Sequence, residues 1–134
     1  MRLFLDANIL FSAAYFPGTK VEQFMKDAIL SHSVLLSTEY AVSEARKNLS
    51  AKHPAGLLKL NFWLLHLELV QAPGRTHCPI DLPVKDQPIF MAAIVGHATH
   101  LITGDLQHFG KWMNKPKQTQ GIVIQTIGDF LKTL

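Results

Sequence analysis

Short apolar runs alternate along this chain with longer stretches whose apolar residues recur every three or four positions. The runs cover residues 1–5, broken only by Arg2, then 34–36, 67–70, 101–103 and 122–124, and they read as five short buried strands. Between them, residues 21–30 carry Val21, Phe24, Met25, Ala28 and Ile29 on one helical face. Ser37 or Thr38 caps a helix bearing Ala41, Val42, Ala45 and Leu49, while residues 57–65 are helical after the break at His53-Pro54-Ala55-Gly56. Pro88 stands in the first turn of a helix with Phe90, Ala93, Ile94 and His97 at helical spacing, and a last helix holds Ile127, Phe130 and Leu131. Such alternation predicts an α/β fold of three α/β/α layers, with a central, mostly parallel five-stranded sheet of flavodoxin-like appearance.

A chain of 134 residues is of single-domain size. We therefore read residues 1–134 as one domain. No apolar segment approaches the roughly 20 residues of a membrane span, and the first residues lack the pattern of a signal peptide. The single cysteine, Cys78, excludes an internal disulfide framework and fits a reducing cytoplasm. A net charge of +3 and a pI near 9.1 are compatible with a polyanionic partner. Lys111, Lys115 and Lys117 around Trp112 form a mixture suited to phosphate contacts and base stacking, or to an ordinary solvated loop.

Four acids, Asp6, Glu44, Asp86 and Asp105, are spread across nearly the whole chain, and at least three of them follow apolar runs where a strand or loop meets the next helix. Ligands of open parallel sheets bind beyond the carboxyl ends of the strands, so these positions can converge. Asp6-Ala7-Asn8 sets a carboxylate and a neutral oxygen on one tight turn, a pair suited to a hard divalent cation. Each acid also has a purely structural role open to it. Asp6 can be satisfied by loop amides, Asp86 and Asp105 can cap the segments that follow them, and Glu44, like Glu39, borders a helix's apolar face. Clustered carboxylates repel and raise one another's pKa unless a cation neutralises them, so convergence would call for Mg²⁺ or Mn²⁺.

Taken in order, Leu5-Asp6-Ala7-Asn8-Ile9-Leu10, Ser43-Glu44-Ala45-Arg46-Lys47-Asn48-Leu49, Lys85-Asp86-Gln87-Pro88-Ile89-Phe90-Met91-Ala92-Ala93 and Leu101-Ile102-Thr103-Gly104-Asp105 resemble the motifs of the PIN-domain nucleases. The likeness is to the small toxins of toxin–antitoxin pairs and extends to a closing strand and helix over residues 122–131. It selects Glu44 over Glu39. The resemblance implies a metal site of Asp6, Glu44, Asp86 and Asp105, supported by Asn8 and Thr103, that hydrolyses RNA phosphodiesters with Mg²⁺ or Mn²⁺. It also implies an antitoxin partner and a homodimer. Many relatives carry a further acid or amide shortly after Asp105, whereas Gln107, His108 and Phe109 stand here, which bears on a second metal.

Other readings meet specific obstacles. A phosphoacceptor receiver domain resembles this pattern but needs adjacent acids after its first strand and a lysine after its last, where Gln125-Thr126 stand. Asn8 cannot serve as the second acid of an Asp-x-Asp phosphatase. His97, His100, His108 and Cys78 match no zinc-ligand spacing, and packing or exposure accounts for those histidines. A housekeeping RNA-processing nuclease, or a PIN-like module that binds RNA or an antitoxin without cleaving, remains open.

Overall fold

The computed structural model describes residues 1–74 and 77–134. Its strands β1 (Arg2–Leu5), β2 (Val34–Ser37), β3 (Leu67–Leu69), β4 (His100–Ile102) and β5 (Val123–Gln125) form one sheet in the order β3-β2-β1-β4-β5. All four pairings are parallel. The helices are α1 (Ala7–Tyr15), α2 (Lys20–Leu30), α3 (Glu39–Lys52), α4 (Leu57–Leu64), α5 (Gln87–Val95), α6 (Leu106–Phe109) and α7 (Ile127–Lys132). Single 3₁₀ turns precede α4 and α5 and follow α6.

Leu3, Phe4 and Leu5 have no exposed surface, because β1 is flanked by strands on both edges and covered on both faces. The chain runs outward from β1 through β2 to β3, and the helices of those crossovers pack on one another, α1 against α2, α3 and α4. It then returns to place β4 on the other side of β1. The right-handed crossover rule puts the returning helix on the opposite face, where α5 packs against β2 and β4. Phe24 of α2 and Phe130 of α7 meet edge to face, with ring centroids 5.4 Å apart. The strand order is that of a doubly wound sheet with its reversal point between β1 and β4.

The residues after β1 make an element that apolar periodicity alone left unassigned. Asp6 caps α1 by accepting from Ala7 N at 2.7 Å, and Ile9, Leu10, Ala13 and Ala14 are buried. Two contacts clamp the far end of α1. The buried Trp63 donates its indole N–H to Ala13 O at 3.2 Å. Gly56 lies so close that a Cβ there would stand 2.8 Å from Ala14 O, so only glycine fits.

α5 ends at Val95, and His97 is exposed in the left-handed region with φ 54°, so it does not extend the inward face expected of it. β4 and β5 each lie one residue from the expected runs: Thr103 leaves the strand on one side and His100 joins on the other, paired with Leu3 and Val123. No helix among the described residues is long and apolar enough to cross a membrane.

Trp63 fills the space between α1 and α4 with both its ring and a hydrogen bond, so Trp63→Ala should cost about 3–5 kcal/mol of unfolding free energy. Urea denaturation followed by far-UV circular dichroism measures this. A loss under about 1 kcal/mol would mean that the site collapses around the missing ring.

Candidate metal centre

The reversal point brings the end of β1 beside the end of β4, and the two are tied there by side chains. Thr103 Oγ1 donates to Asp6 Oδ2 at 2.8 Å, and Asn8 Nδ2 donates to the same oxygen at 3.1 Å and lies 3.2 Å from Thr103 Oγ1. Asn8 Oδ1 accepts from Gly104 N at 2.8 Å. That bond turns the amide oxygen toward the β4 loop. Asn8 thus acts here as a brace between the start of α1 and the loop after β4 rather than as a free oxygen donor.

Asp86 departs from the capping role open to it in the sequence. Its backbone is already helical, at φ −96° and ψ −13°, because a 3₁₀ turn (Val84–Asp86) runs directly into α5 and no side-chain cap forms. Tyr40 on α3 holds that turn in place by donating to Lys85 O at 2.8 Å. The Asp86 carboxyl is therefore free of a backbone duty while 8% exposed. Asp105, by contrast, does cap α6, accepting from His108 N at 3.0 Å.

His108 enters this group, whereas the sequence accounts for it by packing or exposure. Its Nδ1 lies 2.7 Å from Asp105 Oδ2 and 3.0 Å from Asp86 Oδ2. The single N–H that Nδ1 can carry is aligned with Asp105. Asp86 Oδ2, although that close, receives no hydrogen bond from any described residue. Ligand atoms of Asp86, Asp105 and His108 lie within 4.8 Å of one another, close enough to share one ion. The signal that could have found His108 is its spacing: three residues after a helix-capping aspartate, a side chain folds back over the cap.

Electrostatics bind the remaining acids to this group. Burial pushes the Asp6 carboxyl up to about 6, the negative charges of Asp86 and Glu44 add to the rise, and the hydrogen bonds from Thr103 and Ala7 oppose it. Asp86 is also raised, first by burial, with Asp105 and Glu44 adding to the effect and His108 and Lys85 opposing it. Tyr40 is raised by burial and by the charges of Glu44, Asp86 and Asp6. Of the two glutamates on α3, Glu44 is the one whose charge these three groups feel. It reaches the site from an exposed position, and its carboxylate joins no ion pair among the described residues.

The basic segment is only partly available to a ligand. Trp112 is half-buried against the core, and its indole N–H donates to Asp81 O at 3.1 Å. Lys111 Nζ pairs with Asp81 at 3.1 Å and stands 5.3 Å from the Trp112 ring centroid. Lys111 nonetheless lines a cleft together with His108, Gln107, Asp81, Leu82 and Pro83. Lys115 and Lys117 are exposed in the turn leading to β5. A second hollow, at the amino-terminal end of β1, is walled by Leu3, Phe24, Phe130 and Leu134 and is mainly apolar, a poor setting for ionic chemistry.

Comparison with solved structures places this geometry in a known fold. The chain superimposes on a chain of VapBC2 from Rickettsia felis, an assembly crystallised with a DNA fragment from their promoter, with a TM-score of 0.66. The match covers 94% of this chain and 98% of that one. The fold is PIN-like. Sequence identity in the superposition is 15%, so what the PIN-like chain shares with that structure is its architecture. No family model matches the sequence, and no curated protein matches it.

The Asp6 shift has a thermodynamic sign that can be measured. Its pKa in the folded PIN-like chain, about 6, exceeds the ordinary 3.8, so the buried carboxylate lowers stability as pH rises from about 4 through 6 and has no effect below that window. At about 1.4 kcal/mol per pKa unit the full cost is on the order of 2–3 kcal/mol. In metal-free buffer, Asp6→Asn should therefore be more stable than wild type at pH 7.5, and the difference should shrink toward pH 4.5. Urea titrations of both proteins in EDTA check this; a gap independent of pH would show that Asp6 is not held as a buried charge.

Proposed function

We propose that residues 1–134 form one nuclease domain, a Mg²⁺- or Mn²⁺-dependent endoribonuclease that serves as the toxin of a toxin–antitoxin pair. The observation that carries this reading is the buried Asp86 carboxylate, one oxygen of which has no hydrogen-bond donor among the described residues, set against Asp105 and coupled by charge to Asp6 and Glu44. Unrelieved, this grouping destabilises the fold. A divalent cation relieves it and gives the acids a reason to converge.

Asp6, Glu44, Asp86 and Asp105 are the residues we assign to the ion. Asn8 and Thr103 fix the Asp6 carboxylate through hydrogen bonds to Oδ2, and Gly104 N fixes Asn8 in turn. Held there, Mg²⁺ or Mn²⁺ would lower the pKa of a water and offset charge on the phosphoryl oxygens during hydrolysis. Lys111, in the cleft beside His108, together with Lys115, Lys117 and the exposed edge of Trp112, would meet the RNA backbone and its bases. In hydrolysis the new bond joins water oxygen to phosphorus, the phosphorus–oxygen bond to one ribose breaks, and the departing oxygen takes up a proton.

The proposal includes protein partners. The superimposed chain belongs to an assembly bound to promoter DNA, which supports an antitoxin as this chain's cognate partner; a homodimer and a cytoplasmic setting complete the reading.

The test is cleavage of a mixed cellular RNA pool with Mg²⁺, with Mn²⁺ and with EDTA. Wild type should cleave only with a metal present, and Asp6→Asn or Asp86→Asn should reduce the rate by at least about 100-fold while keeping the fold, since even residues behind the ligands are worth about 10- to 100-fold. Cleavage unchanged in both variants would overturn the proposal. A folded wild type inert with either ion would favour a binding module instead. Glu44→Gln should impair cleavage far more than Glu39→Gln; the reverse order would remove Glu44 from the site.

A further inference from the structure

Three ligand-type atoms lie close together at this site, and the described residues satisfy only two of them by hydrogen bonding. Asp105 Oδ2 lies 2.7 Å from His108 Nδ1, within hydrogen-bonding distance; Asp86 Oδ2 stands 3.0 Å from the same nitrogen and has no hydrogen-bond partner among the described residues. Asp86 is 8% exposed, so water reaches it poorly. A buried carboxylate oxygen in that condition is costly, and the arrangement persists because Tyr40 pins the preceding turn and the Asp105 cap pins His108.

We infer that His108 is itself a ligand, its Nδ1 joining Asp86 Oδ2 and Asp105 Oδ2 around a single divalent ion, so that the centre takes Mn²⁺ in preference to Mg²⁺. The spacing fits. Donors at right angles around an ion at about 2.1 Å lie about 3 Å apart, and the two nitrogen-to-oxygen separations are 2.7 and 3.0 Å. An ion held by these three residues would engage the oxygen that hydrogen bonding among the described residues leaves out. It requires only that the imidazole carry its proton on Nε2, the tautomer in which Nδ1 offers a lone pair.

Donor chemistry sets the preference. An all-carboxylate centre suits Mg²⁺, which favours oxygen and parts reluctantly with its waters. An imidazole nitrogen suits first-row transition ions better, and Mn²⁺ accepts both oxygen and nitrogen. Four acids alone leave Mg²⁺ and Mn²⁺ equally open, and the position of His108 separates them. The inference rests on the metal-centre reading above, since it shares Asp86 and Asp105 with it.

The experiment is titration of the full chain with Mn²⁺, followed by electron paramagnetic resonance of free and bound ion, with pulsed detection of nitrogen coupled to bound Mn²⁺. Mg²⁺ affinity is measured by competition, and wild type, His108→Gln and Asp86→Asn are compared after circular dichroism shows each is folded. Wild type should show one coupled imidazole nitrogen. His108→Gln should lose that signal and about 10-fold or more in Mn²⁺ affinity, with a much smaller change for Mg²⁺. Mn²⁺ bound without nitrogen coupling, yet released by Asp86→Asn, would overturn the role of His108 and leave the carboxylate centre standing. A nitrogen signal that survives in His108→Gln would overturn it equally. A folded wild type that binds no Mn²⁺ would overturn both the inference and the metal-centre reading.

Discussion

Strand β1 lies between β2 and β4 with its last three residues wholly buried, and the rest of the molecule is arranged around that fact. A strand enclosed on both edges and both faces cannot shift register without exposing Leu3, Phe4 or Leu5 or burying Arg2, so its end point is fixed. Because the chain turns back at this strand, α1 after β1 and the loop after β4 diverge from a shared edge and leave a crevice between them. Asp6 and Thr103 close that edge by hydrogen bonding directly across it.

The site is held under electrostatic tension by the same framework. Asp6 and Asp86 are both pushed toward neutrality, chiefly by burial and further by neighbouring acids. The hydrogen bonds on Asp6 hold down part of that rise, whereas Asp86 has the cross-site pull of His108 and the nearby Lys85. A rigid surround is what makes such tension persist. Tyr40 anchors the turn before α5, Ser37 Oγ donates to Leu5 O at 2.9 Å to join the ends of β2 and β1, and Asn8 braces the β4 loop. None of these three contacts is required to form a strand or a helix. Together they fix the backbone from which the carboxylates project.

The layers and the five strands were legible from apolar runs and helical periodicity, because burial on two faces leaves a strong pattern in strands such as β1 and β4. α1 was not, since Asp6 ends a strand and caps a helix in the same step and leaves no loop between them. The capping roles of Asp86 and Asp105 looked alike in sequence, yet only Asp105 caps; a 3₁₀ turn ahead of α5 had already supplied the helical backbone at Asp86. Asn8 offered an oxygen in sequence and spends it on Gly104 in the fold. Trp112 offered a stacking surface, much of which the Asp81 loop and Lys111 cover.

Sequence by itself determined the alternating α/β architecture and the placing of Asp6 and Asp105 shortly after strands. Tertiary structure alone decided that Asp86 would be buried with an oxygen that no described residue partners and that His108 would face it. Those two residues are separated in the chain by α5 and β4, and their meeting depends on the crossover that returns the chain beside β1. Periodicity reports which face of an element is buried, but a 3.0 Å approach between side chains on different elements is set by the packing of the whole sheet.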